Sequence, residues 1–162
     1  MTRASETRFE IRPARPGEAA RLSALALRSK AHWGYDEAFM AACVEELSVT
    51  PEEITRLHAH ALTIEAELVG FYTLEALEAP ERVELGHLFV EPAWIGRGCG
   101  GALLEHARRT ASGLGYRVMV IQGDPNAAAF YRAAGARRVG ARPSDSVPGR
   151  TLPLFELALS DR

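Results

Sequence analysis

Four glycines fall within six residues, Gly96, Gly98, Gly100 and Gly101, at the head of a helix-patterned run in "VEPAWIGRGCGGALLEHARR", Val90 to Arg109. No other stretch restricts the backbone so closely. Glycine lets the chain adopt left-handed conformations and lets main-chain N–H groups approach a ligand. A helix start adds N–H groups without intrahelical partners, and its dipole contributes roughly 0.3–1 kcal/mol of attraction for an anion. The segment therefore reads as a phosphate-binding loop. It is not a nucleoside triphosphate loop, because no Gly-Lys-Ser/Thr closes it. Gly96-x-Gly98-x-x-Gly101 matches the dinucleotide fingerprint literally, and Asp124 follows the next strand where a ribose-binding acid would lie. Against that reading, "EPAWI" separates the strand from the first glycine, and the loop follows several strands and two helices instead of opening the domain.

The 162 residues fit a single domain, 1–162, built on one core. With 47% hydrophobic and 25% charged residues the composition is globular, and a net charge of −2 without a dense basic run argues against a nucleic-acid partner. Of 19 basic residues only Lys30 is lysine. So general an arginine preference discounts any single arginine, Arg97 included, as a chosen anion ligand. Cys43 and Cys99 have no metal-type spacing, which predicts two reduced thiols, no zinc site and a cytoplasmic protein. "MTRASETRFEIR" lacks the apolar stretch of a signal peptide, and no window reaches the ~18 apolar residues of a membrane span, so no membrane partner is expected.

Along the chain, "RFEIRPA" alternates like a half-buried strand. From Pro16 the spacing of Ala19, Leu22, Leu25 or Ala26, and Ser29 predicts a helix, and "DEAFMAACVEEL" predicts a second with Phe39, Ala42, Cys43 and Leu47 on one side. Thr50-Pro51-Glu52-Glu53 has the form of a capping box. "HALTIEA" and "LVGFYTLEAL", separated by Glu67, predict a hairpin, followed by the strand "RVELGHLFV". In that strand Val83 and Leu85 share a phase that slips by one residue to Leu88 and Val90, which predicts a β-bulge near Gly86 to Leu88. Leu103, Leu104, Ala107 and Ala111 mark the buried stripe of the helix after the glycines, ended by Gly113 or Gly115. A strand "RVMVIQG", a helix "DPNAAAFYRAAG" capped by Asp124, and strands "ARRVG" and "LPLFELAL" complete the chain.

These residues carry a resemblance. "ELGHLFVEPAWIGRGCGGALLEHA" resembles the acetyl-coenzyme A signature of the GNAT superfamily of N-acetyltransferases, and "NAAAFYRAAGA" resembles that family's second recurring element, an Asn followed by Phe-Tyr. The order of elements is also similar, so the resemblance spans nearly the whole chain. It implies an α+β fold, with a mostly antiparallel twisted sheet of about seven strands flanked by about four helices. It also implies acetyl transfer from acetyl-coenzyme A to a primary amine by direct attack in a ternary complex. Where the family usually has Arg or Gln this chain has Ile95, which leaves the pyrophosphate to backbone donors.

The same resemblance implies a cofactor site of Leu88, Phe89 and Val90 for the pantetheine arm, Gly96, Arg97, Gly98, Cys99, Gly100 and Gly101 for the pyrophosphate, and Asn126 beside the arm. A backbone N–H freed by the bulge would meet the developing oxyanion. Tyr131 is the expected proton donor to the leaving thiolate and Glu84 the expected base, with His87 as its competitor. Acceptor contacts are expected from His32, Trp33 and Tyr35 and from the long connection "RPSDSVPGRTLP". No metal is expected, and the partner is a small-molecule or peptide amine bound by a monomer or homodimer. Two other readings remain: a noncatalytic acetyl-coenzyme A sensor, and the dinucleotide-binding oxidoreductase.

Overall fold

The computed structural model of the protein describes residues 9–159. Seven segments pair as strands β1 (Phe9–Pro13), β2 (His58–Ile64), β3 (Glu67–Ala76), β4 (Arg82–Val90), β5 (Val118–Gln122), β6 (Arg137–Pro143) and β7 (Thr151–Ala158). They form one sheet in the order β1-β2-β3-β4-β5-β7-β6, antiparallel throughout except where β4 runs parallel to β5. Five helices flank it: α1 (Ala19–Ala31), α2 (Glu37–Leu47), α3 (Pro51–Arg56), α4 (Cys99–Gly113) and α5 (Ala128–Ala133). This is the mixed α+β architecture expected, with one helix more because the capping box at Thr50 opens a helix of its own. In that box the Thr50 hydroxyl accepts from the Glu53 amide while the Glu53 carboxylate accepts from the Thr50 amide.

Two apolar layers result. On one face α1, α2 and α3 bury Leu22, Leu25, Leu47 and Ile54 against Ala61 and Phe71 of the sheet. On the other, α4 and α5 bury Leu103, Leu104, Ala107 and Tyr131 against Leu62, Tyr72, Leu85, Ile121 and Phe155. Buried positions on α1 are Ala19, Leu22, Leu25, Ala26 and Ser29, the stripe read from the sequence. On α2 the stripe is shifted: Ala42 is exposed and Met40 joins Phe39, Cys43 and Leu47 against the core. Positions 40, 43 and 47 follow the i, i+3, i+7 spacing that keeps one helix face inward.

The hairpin turn also differs. Ile64 pairs with Glu67, so Glu67 opens β3, and Glu65 and Ala66 turn the chain with φ of 51° and 68°. Both residues take the left-handed region that two-residue hairpin turns require, without the Asn-Gly that would have announced it.

The bulge in β4 is where the phase slip put it. Thr73 faces His87 and Leu74 faces Leu85, leaving Gly86 as the extra residue. A Cβ at Gly86 would come within 2.9 Å of the Thr73 hydroxyl, so only glycine fits. Pairing between β4 and β5 covers only Arg82–Leu85 against Val118–Ile121. Beyond the bulge the two strands part.

Candidate active site

A cavity of about 560 Å³ occupies the space where the strands separate. Its β4 wall is Leu85, Gly86, His87, Leu88, Phe89 and Val90. Because β5 does not follow β4 past Leu85, that edge offers unpaired backbone donors and acceptors to a ligand lying in the gap, as an exposed strand edge does for an added strand.

One end of the cavity is the glycine loop. Gly96 and Gly98 hold φ of 83° and 86°, and Gly98 is the residue from which α4 springs. By helix geometry the N–H groups of Cys99, Gly100 and Gly101 have no intrahelical acceptor, and the first ladder bond of α4 is from Ala102 to the Gly98 carbonyl at 3.1 Å. A Cβ at Gly100 would sit 3.4 Å from the Phe130 ring. Gly96, Gly98, Gly100 and Gly101 line the cavity. Arg97 does not; its guanidinium lies 4.9 Å from the centre of the Trp94 ring. Cys99 is buried and its thiol is pushed up by burial, so it belongs to the packing of α4.

Tyr131 stands in the wall across from this edge. Its ring packs on Phe155 and lies 3.1 Å from where a Gly123 Cβ would be, so Gly123 makes room for it. Burial, and then the charge of Asp124, push the phenol well above its ordinary value, which keeps it protonated. Phe130 beside it also lines the cavity.

Asp124 organises the other end. It caps the turn Pro125–Ala127, accepting from the Asn126 amide at 2.8 Å. It also pairs with Lys30, accepts the Tyr35 hydroxyl at 2.8 Å and lies 3.5 Å from the Arg150 guanidinium. Burial works against its charge, but the donors from Lys30, Asn126 and Tyr35 outweigh it and hold the carboxyl below the usual range. The Asn126 side chain donates to the Tyr35 hydroxyl at 3.0 Å and to Asp124 at 2.9 Å. Asn126 thus lines the cavity while bound to this network.

Of the residues expected to meet an acceptor, Trp33 lines the cavity, whereas Tyr35 stands behind Asp124 and Asn126 as their shared partner. His32 packs edge-on against Trp33 at 5.5 Å and does not line the cavity. Glu84 is also absent from the wall: on β4 ahead of the bulge, it faces Arg142 at 3.4 Å, and Arg142 donates to Gln122 at 3.0 Å. Glu84, expected as the base, thus has an arginine partner and does not itself line the cavity. His87 does line the cavity, with Nδ1 2.8 Å from the Thr73 hydroxyl and Nε2 buried. Burial outweighs the acids Glu53, Glu46 and Glu75 around it and lowers its pKa.

Lys30, Glu46 and Gln122 line the cavity too, none of them named for it by the sequence reading, and Leu152 lines it from the long connection expected to meet the acceptor. Only Lys30 gave a signal, as the single lysine. Among the described residues, no group of three or more His, Cys, Asp or Glu side chains could hold a metal ion, and no helix is long and apolar enough to cross a membrane.

Residues 56–135 match the family described as acetyltransferase (GNAT) domain. A GCN5-related N-acetyltransferase structure from Rhodopseudomonas palustris superposes with a TM-score of 0.76 at 20% identity, covering 98% of this chain and 100% of that one. The PaiA N-acetyltransferase of Thermoplasma acidophilum, solved in complex with coenzyme A, gives 0.73 at 18% identity over 93% and 99%. An N-acetyltransferase from Staphylococcus aureus gives 0.69 at 16% over 94% and 99%. A search of curated proteins finds no match. The family match over the central elements and the shared fold over nearly all of the chain agree with the site geometry: this chain belongs to the GNAT superfamily of acetyltransferases.

Proposed function

We propose that the protein is an N-acetyltransferase that moves an acetyl group from acetyl-coenzyme A to a primary amine, with both bound in the cavity at once. The observation that carries this reading is the continuous wall from the glycine loop, past the unpaired edge of β4 and the Tyr131 ring, to the Lys30–Asp124 pair. Its residues suit coenzyme A. The left-handed Gly96 and Gly98 and the open N–H groups of the first turn of α4 form a cradle for a pyrophosphate that side chains would fill. Leu88 to Val90 offer an edge for the amides of the pantetheine arm.

When bound, acetyl-coenzyme A supplies an activated acyl thioester. Residues of the chain then have two tasks. Backbone N–H groups at the bulge offer fixed donors where negative charge develops on the acyl oxygen, an effect worth roughly 2.7–4 kcal/mol in comparable sites. Tyr131, kept protonated by burial, holds the proton needed by the departing sulfur. Glu84 faces Arg142 and His87 meets Thr73 through Nδ1, and in this reading the amine loses its proton to solvent. Calorimetry with acetyl-coenzyme A and with NAD tests the reading: micromolar-range binding of the first and none of the second is expected, and preference for NAD would replace it with the dinucleotide reading.

A further inference from the structure

Every cation of this chain is arginine except one, and that one lines the cavity. Lys30, on α1, pairs with Asp124, which Arg150 approaches from the β6–β7 connection at 3.5 Å. The three side chains are 11%, 12% and 18% exposed, so the group is nearly enclosed. It holds two positive charges and one negative. Tyr35, the fourth member, adds none, because burial and then Asp124 raise its phenol above its ordinary value. Glu46 reaches the wall from α2, but it is solvent-exposed and accepts a hydrogen bond from the Ser146 hydroxyl. His87 is lowered by burial and adds no charge at neutral pH.

An enclosed surplus of positive charge is costly unless an anion neutralises it. Arg150 is occupied, stacked at 4.7 Å on the Phe39 ring and donating to Tyr35. The Lys30 ammonium has three donors, and among the described residues Asp124 is its one hydrogen-bond acceptor. The cavity that Lys30 lines also has apolar side chains in its wall, among them Trp33, Leu47 and Leu152. We propose that the acceptor is an amine that also bears a carboxylate, an amino acid with an apolar side chain, and that Lys30 receives that carboxylate. The assignment rests on the acyltransferase reading of the site. It excludes polyamines and lysine side chains of proteins, which bring positive charge to a region already in surplus.

The test compares matched ligands that differ only in the carboxylate. Coenzyme A is first titrated into the protein, and the loaded protein is then titrated with N-acetylphenylalanine, N-acetylleucine or N-acetylalanine and with the N-acetylamines lacking the carboxylate. At least one acid is expected to bind tenfold or more tighter than its amine counterpart. That preference should vanish in Lys30→Met, with Lys30→Gln as the second neutral variant should the first not fold, and persist in Lys30→Arg. Equal or reversed affinities, no binding of any acid, or a preference that survives loss of the charge overturns the proposal. Failure of coenzyme A itself to bind overturns the acyltransferase reading, and the acceptor assignment with it.

Discussion

Tyr131 and Glu84 carry separable expectations. Tyr131→Phe removes a hydroxyl and keeps the ring against Phe155, so kcat should fall by roughly 10²–10⁴ while coenzyme A affinity stays within twofold. Full activity in that variant would make Tyr131 a packing residue. Glu84→Gln should keep the wild-type dependence of kcat on pH, because its carboxylate faces Arg142 outside the cavity; residual activity that climbs with pH beyond the wild-type plateau would restore it as the base. The glycines and Tyr131 were legible in the sequence because each sits within a short local pattern. The Asp124 network was not. Its partners lie 94, 89 and 26 residues away, and a sequence read locally shows Asp124 as a helix cap or a ribose-binding acid and not as the centre of a network.

At the scale of the element, the start of α4 joins conformation to binding. Gly98 supplies the left-handed residue from which the helix springs, and a side chain there is strained by about 1–2 kcal/mol even though no atom stands in its way. Gly98→Val should therefore lower the unfolding midpoint modestly but weaken coenzyme A binding at least tenfold, as thermal melts and calorimetry would show. Normal binding by the folded variant would remove the loop from the site. The bulge in β4 was legible because its strand alternates, so a slip in phase is visible. Extra residues at Val69 in β3 and Val139 in β6 were not. "LVGFYTL" is apolar on both faces of the sheet, and an uninterrupted apolar run has no phase to lose.

Across the whole molecule, the two covered faces enclose three histidines that must be neutral in the folded state. His60 stacks on Tyr72 at 5.1 Å and lies 4.9 Å from His106, its Nδ1 buried without a partner. Burial, then the charges of His106 and His58, push it down to about 4. Burial also lowers His106 and, on the opposite face, His87. Unfolded, each binds a proton near its ordinary value of 6.5, so between there and the folded values the unfolded chain holds more protons and stability falls as pH falls. Urea unfolding at pH 7.5 and pH 5 should show a loss on the order of 1 kcal/mol from His60, allowing for its partial exposure, and His60→Gln should shrink the difference. An unchanged midpoint would mean that the interior accepts the charge. Finally, the strand pairing that joins β1–β4 to the β5–β7–β6 half of the sheet runs for only four residue pairs. Past them the seam is open, and an occupant of the cavity supplies the missing rungs. On the proposed function the cosubstrate would be a removable strand of the fold, and the loaded and empty proteins should differ in how cooperatively their two halves come apart.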